Sequence, residues 1–142
     1  MIQSRGGVIN RAGQVGGFTS GQNNGATNAP EWVLNGALSY TEDRFTAQIQ
    51  GRYVGGGSID NALVGPDSPD YNPASPISIA DNRIDSRFYV NLSGSYRLSD
   101  TAEVYGAVNN ATNTEPPFPS TAVAGLYDRI GRSYSLGVRI KY

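Results

Sequence analysis

Five stretches of this 142-residue chain, 32–40, 45–53, 88–98, 102–108 and 134–142, alternate between apolar and polar side chains. A period of two belongs to the β-strand, whose successive side chains point to opposite faces. One parity holds Trp32, Leu34, Gly36, Leu38, Tyr40, then Phe45, Ala47, Ile49, Gly51, Tyr53, then Phe88, Val90, Leu92, Gly94, Tyr96. It continues with Ala102, Val104, Gly106, Val108 and with Tyr134, Leu136, Val138, Ile140, Tyr142, and carries no charge. The other parity holds Asn35, Ser39, Thr46, Gln48, Gln50, Arg52, Asn91, Ser93, Ser95, Glu103, Ser135, Arg139 and Lys141. The pattern predicts an all-β fold, an antiparallel meander with one apolar and one wet face.

The connections alternate too. Thr41-Glu42-Asp43-Arg44 and Ser99-Asp100-Thr101 are polar and of hairpin length. The connections over 54–87 and 109–133 are long and hold Pro66, Pro69, Pro73, Pro76, Pro116, Pro117 and Pro119, a density that keeps a chain out of ladders and helices. Residues 1–30, dominated by Gly, Asn, Gln, Ser and Thr, read as a loop or disordered tail, which leaves 31–142 as the strand-bearing segment.

Alternation alone also fits a soluble β-sandwich, whose strands read apolar-in and polar-out. The aromatics separate the two cases. Trp32 and Tyr40, Phe45 and Tyr53, Phe88 and Tyr96, and Tyr134 and Tyr142 bracket the apolar parity at intervals of eight residues. At ~3.3 Å per residue that interval covers ~26 Å, or ~20 Å at a tilt of about 40°, close to the roughly 25 Å apolar band of an outer-membrane barrel girdled by aromatics. Short turns at one end and long loops at the other are a further mark of such barrels, and place 41–44 and 99–101 in the periplasm. The expectation is therefore about five transmembrane strands of a bacterial outer-membrane barrel wide enough to hold water.

Composition narrows the function. The chain has no cysteine and no histidine, which excludes disulfides, zinc sites built on those residues and histidine-based nucleophilic catalysis. Its 11 basic residues, all but Lys141 arginine, are scattered against 12 acidic ones, so nucleic acid is not an expected partner. No apolar run reaches the roughly 20 residues of a transmembrane helix. Met1-Ile2-Gln3-Ser4-Arg5-Gly6-Gly7 lacks the features of a secretory signal, which fits a sequence that begins inside a longer one. No catalytic group, cofactor or metal is expected.

Three stretches resemble the C-terminal barrel strands of TonB-dependent outer-membrane receptors: Arg87-Phe88-Tyr89-Val90-Asn91-Leu92-Ser93-Gly94-Ser95-Tyr96, the run from Glu103 through Val108-Asn109-Asn110-Ala111-Thr112-Asn113-Thr114-Glu115-Pro116-Pro117, and Tyr127-Asp128-Arg129-Ile130-Gly131-Arg132-Ser133-Tyr134. The resemblance covers residues 30–142. It implies the last part of a 22-stranded barrel closed by a plug, with energy-coupled uptake of a siderophore, cobalamin or saccharide. The implied partners are outer-membrane lipid, the rest of the barrel and plug, TonB through that plug, and an unidentified small-molecule substrate. A soluble carbohydrate-binding sandwich and part of a passive porin remain as alternatives.

Arg52 and Arg139, on the wet parity, are candidate lumen contacts for an anionic substrate, with plain solvation as the competing explanation. Tyr71, Phe118 and Tyr127 in the long connections are candidate stacking residues, with loop packing as the alternative. Asp60, Asp67, Asp70, Asp81 and Asp85 share one loop but match no ordered calcium motif. The end of the chain, with Gly137, Ile140 and terminal Tyr142, resembles the signal by which the barrel-assembly machinery recognises outer-membrane proteins.

Overall fold

A computed structural model describes residues 12–15, 30–117 and 126–142. Its strands are β1 (Val33–Glu42), β2 (Phe45–Val54), β3 (Gly57–Ser58), β4 (Arg83–Ile84), β5 (Arg87–Arg97), β6 (Ala102–Asn109) and β7 (Ser133–Ile140), with no helix among the described residues. The five long strands form one antiparallel sheet in the order β1-β2-β5-β6-β7, so each pairs with its neighbour in sequence, while β3 and β4 form a separate ribbon.

The register keeps the two parities apart across the whole sheet. Leu38 faces Ile49, Ile49 faces Leu92, Leu92 faces Val108 and Val108 faces Tyr134, one continuous apolar row. The row beside it, Tyr40, Ala47, Gly94, Gly106 and Leu136, stays on the same face, since a shift by two residues preserves the side. On the other face Gln48 Nε2 donates to Ser39 Oγ at 3.0 Å and Asn91 Nδ2 to Gln50 Oε1 at 3.3 Å, cross-strand pairs that satisfy polar side chains against one another.

No described layer covers the apolar face. On the apolar face Leu38 is 71% exposed, Leu92 41%, Tyr134 71% and Leu136 83%. The buried cluster of Val15, Val54, Ile59, Ile84, Tyr89 and Tyr127 is built instead on the wet parity, where Val54 and Tyr89 emerge at the long-loop end of β2 and β5. Loop residues from 55–86 and 126–127, together with 12–15, cap that end of the sheet.

The hairpin between β1 and β2 is tighter than expected, because Glu42 still pairs with Phe45 and only Asp43-Arg44 are left to turn, with Asp43 at φ 45°. An Asp takes the left-handed region at little cost, since its short polar side chain bonds locally. The longer β1 brings Glu42 onto the apolar parity beside its turn, where its carboxylate accepts a hydrogen bond from the Tyr40 hydroxyl.

Two expectations are corrected. The connection 54–87 does contain ladder: β3 and β4 pair at its base, and Val64 bridges Ser78, so the prolines exclude only the stretch between them. Within 1–30, the described residues 12–15 are docked rather than loose, with Val15 fully buried and its N–H donating to Ser58 O at 2.8 Å. Gly57 makes that approach possible, because a Cβ there would meet the Gly13 carbonyl and come within 2.5 Å of Val15 Cγ2.

Candidate functional site

At the capped end of the wet face, a cavity of about 290 Å³ is lined by Arg52, Tyr89, Asn91, Asn109, Asn110, Tyr127, Asp128, Ile130, Gly131 and Ser133. The sheet supplies one wall through cross-strand neighbours: Arg52 of β2 lies opposite Tyr89 of β5. The opposite wall is the approach to β7, residues 127–133, and what holds it there is the turn that follows β6.

That turn is organised by Asn110, which is 1% exposed and sits at φ 48°. Its Nδ2 donates to Thr114 O and to Asp128 Oδ2, both at 2.9 Å. Its Oδ1 accepts from Thr114 N at 2.8 Å, and its own N–H donates to Asn91 Oδ1 at 2.9 Å. A buried amide with all its groups satisfied fixes local geometry far better than a solvated one. Asp128 in turn accepts from Ile130 N at 2.9 Å, and Asn113 Oδ1 accepts from Arg132 N at 3.0 Å. The Val108-Asn109-Asn110 strand end and the Tyr127-Asp128 approach are thus clasped together by side-chain bonds.

The cavity contains groups whose bonding is incomplete. The hydroxyls of Tyr89 and Tyr127, on residues 5% and 7% exposed, have no hydrogen-bond partner. The backbone of Asp128 approaches the Tyr89 oxygen, and the hydroxyl proton has no acceptor. Burial, with a further push from the neighbouring Tyr89 phenol, holds the Tyr127 phenol above its ordinary pKa of 10.0 against the opposing pull of Arg87. Tyr127 therefore remains a neutral O–H donor well into alkaline solution. Arg52 forms no ion pair among the described residues.

The other sequence candidates fall elsewhere. Arg139 is at the short-turn end, 3.3 Å from Glu103 Oε2 and 5.5 Å above the centre of the Tyr105 ring. Tyr71 is in the Pro-rich loop, its N–H bonded to Ser68 O at 3.1 Å, and does not line the cavity. Phe118 lies outside the described residues. The girdle positions Trp32, Tyr40, Phe45, Phe88, Tyr96, Tyr134 and Tyr142 are all exposed, and Tyr53 is half-buried. Gly137 lies under the Tyr105 ring, where a Cβ would approach Cζ and the hydroxyl to 2.5 Å; Ile140 pairs with Ala102, and Tyr142 extends past the end of β7.

Sequence reading missed Tyr89, Asn109, Asn110 and Asp128 as site residues. The available signal was Tyr89, an aromatic side chain on the wet parity of an otherwise polar strand face. No metal-binding group of three or more Asp and Glu residues occurs among the described residues. No family model matches the chain, and neither the curated proteins nor the solved structures contain a significant match.

Proposed function

We propose that this chain is the C-terminal segment of a TonB-dependent receptor barrel in the bacterial outer membrane, and that it serves energy-coupled uptake of a small molecule. The observation that carries the reading is an uncovered apolar face: most of its large side chains are exposed on β1, β2, β5 and β7, with Val104 and Val108 of β6 half-buried, while the hydrophobic cluster sits at the long-loop end of the wet face. In water such an uninterrupted apolar face is a liability; in a bilayer it is the surface that contacts lipid. Among the described residues no second sheet covers it. The motif resemblance of residues 30–142 supplies the receptor family, and the short turns at 43–44 and 98–101 supply the orientation. In this reading the eight bracket aromatics sit at headgroup level, and Tyr142, with Gly137 and Ile140, is offered to the barrel-assembly machinery.

The test is topological. An epitope inserted after Ser68 in the Pro-rich loop is expected to bind antibody on intact cells. The same epitope between Asp43 and Arg44 is expected to bind only after the outer membrane is permeabilised. Recovery of the protein in a soluble fraction, or equal labelling of the two sites on intact cells, contradicts the proposal.

A further inference from the structure

We infer that a notch in the apolar face, over β5, β6 and β7, seats one phosphate-bearing lipid, with an alkyl chain in the notch and the phosphate on Arg132. Gly94 and Gly106, paired across β5 and β6, form its floor. Leu92 and Val108 close it on the long-loop side, and Tyr134 and Leu136 of β7 stand beside it, leaving a volume of about 400 Å³. A Cβ at Gly94 would meet the Thr46 carbonyl oxygen and no side chain within 4 Å, so no described side chain fills the space above it. Gly51 on the same face differs, because the Phe88 ring already lies 3.2 Å from where a Cβ would be.

Shape and charge together select the occupant. Paired strands lie ~4.8 Å apart, so a floor of two glycines admits a single alkyl chain and is too narrow for a helix of roughly 10–12 Å. Arg132 is exposed, lies two residues beyond Tyr134 on the long-loop side and forms no ion pair among the described residues, although Glu115 and Asp128 share that end. Asp128 is turned to the wet face, where Asn110 Nδ2 occupies one of its oxygens and the Ile130 N–H the other. Two residues further from β7, Ile130 is 87% exposed. A guanidinium and an isoleucine above an open apolar notch match a lipid at both ends: the guanidinium forks onto phosphate oxygens, while its methylene stem and the isoleucine stay in apolar surroundings. The inference rests on the proposed membrane reading, which puts Tyr134 at headgroup level and Arg132 among the phosphates.

The experiment reconstitutes the full-length protein in phosphatidylcholine vesicles with a trace of lipid carrying a nitroxide on its acyl chain, either phosphatidylglycerol or, as the zwitterionic control, phosphatidylcholine. The immobilised fraction of the label is read by electron spin resonance. Phosphatidylglycerol is expected to associate about fivefold more strongly, as one arginine near an anionic surface provides. Arg132→Gln should abolish that preference, and Leu136→Trp, at an exposed position where an indole would fill the notch, should reduce it. Arg97→Gln, which removes the same charge from the wet face, should leave it intact. Equal immobilisation of the two lipids, a preference that survives Arg132→Gln or Leu136→Trp undiminished, or an equal loss in Arg97→Gln overturns the inference and leaves the membrane reading standing. No immobilised lipid of either kind contradicts the membrane reading, and the inference with it.

Discussion

Asn110 shows how much one side chain can hold in place. It occupies the left-handed region, which asparagine tolerates better than other non-glycine residues, and its amide joins the turn after β6 to the approach to β7. Asn110→Ala would leave the Thr114 amide and carbonyl short of partners and place an alanine at φ 48°. A loss of about 2–4 kcal/mol is expected. Asn110→Gly, which relieves only the backbone, should recover about 1 kcal/mol of it. Urea unfolding of the two variants beside the parent provides the measurement; equal stability of parent and Asn110→Ala would mean that Asn110 does not hold the two segments together. Gly137 has a simpler part: it leaves room for the Tyr105 ring, which itself lies under the Arg139 guanidinium.

The unit of behaviour at the next scale is the strand with its two faces. Leu92 of β5 and Val138 of β7 are in the middle of the apolar rows, whereas Ser93 is on the wet face. Arginine at Leu92 or Val138 is expected to cost about 2–4 kcal/mol in a bilayer, falling toward zero at Ser93. Equal losses in a folding titration of the three variants would mean that the faces do not differ in solvent. The five long strands were legible in the sequence because two different environments impose alternation at every position; even so, β1 runs on to Glu42, beyond the expected end at 40, and β7 stops at Ile140. The ribbon β3–β4 and the docking of 12–15 were not legible, since the first joins segments 25–27 residues apart and the second depends on a close approach at Gly57 between segments more than forty residues apart. The cavity was half legible. Arg52 and Tyr127 stood out as a charge and a loop aromatic, but their partners Tyr89 and Asp128 gain meaning only when β5 and the approach to β7 meet.

At the scale of the molecule the sheet is open among the described residues, where β1 pairs only with β2 and β7 only with β6. Open edges invite aggregation in water, and inside a bilayer each unpaired backbone group costs several kcal/mol. The proposed barrel, completed by strands beyond this segment, removes both edges and leaves the apolar face to lipid. The chain has no cysteine, so a nitroxide can be placed at single thiols introduced at Leu92, Ser93 and Val138 without background from the rest of it. In bilayers, oxygen should broaden the label at 92 and 138, and a water-soluble nickel chelate should broaden the label at 93. Nickel accessibility at all three positions, or no alternation between 92 and 93, would contradict the lipid-facing assignment on which the proposed function rests.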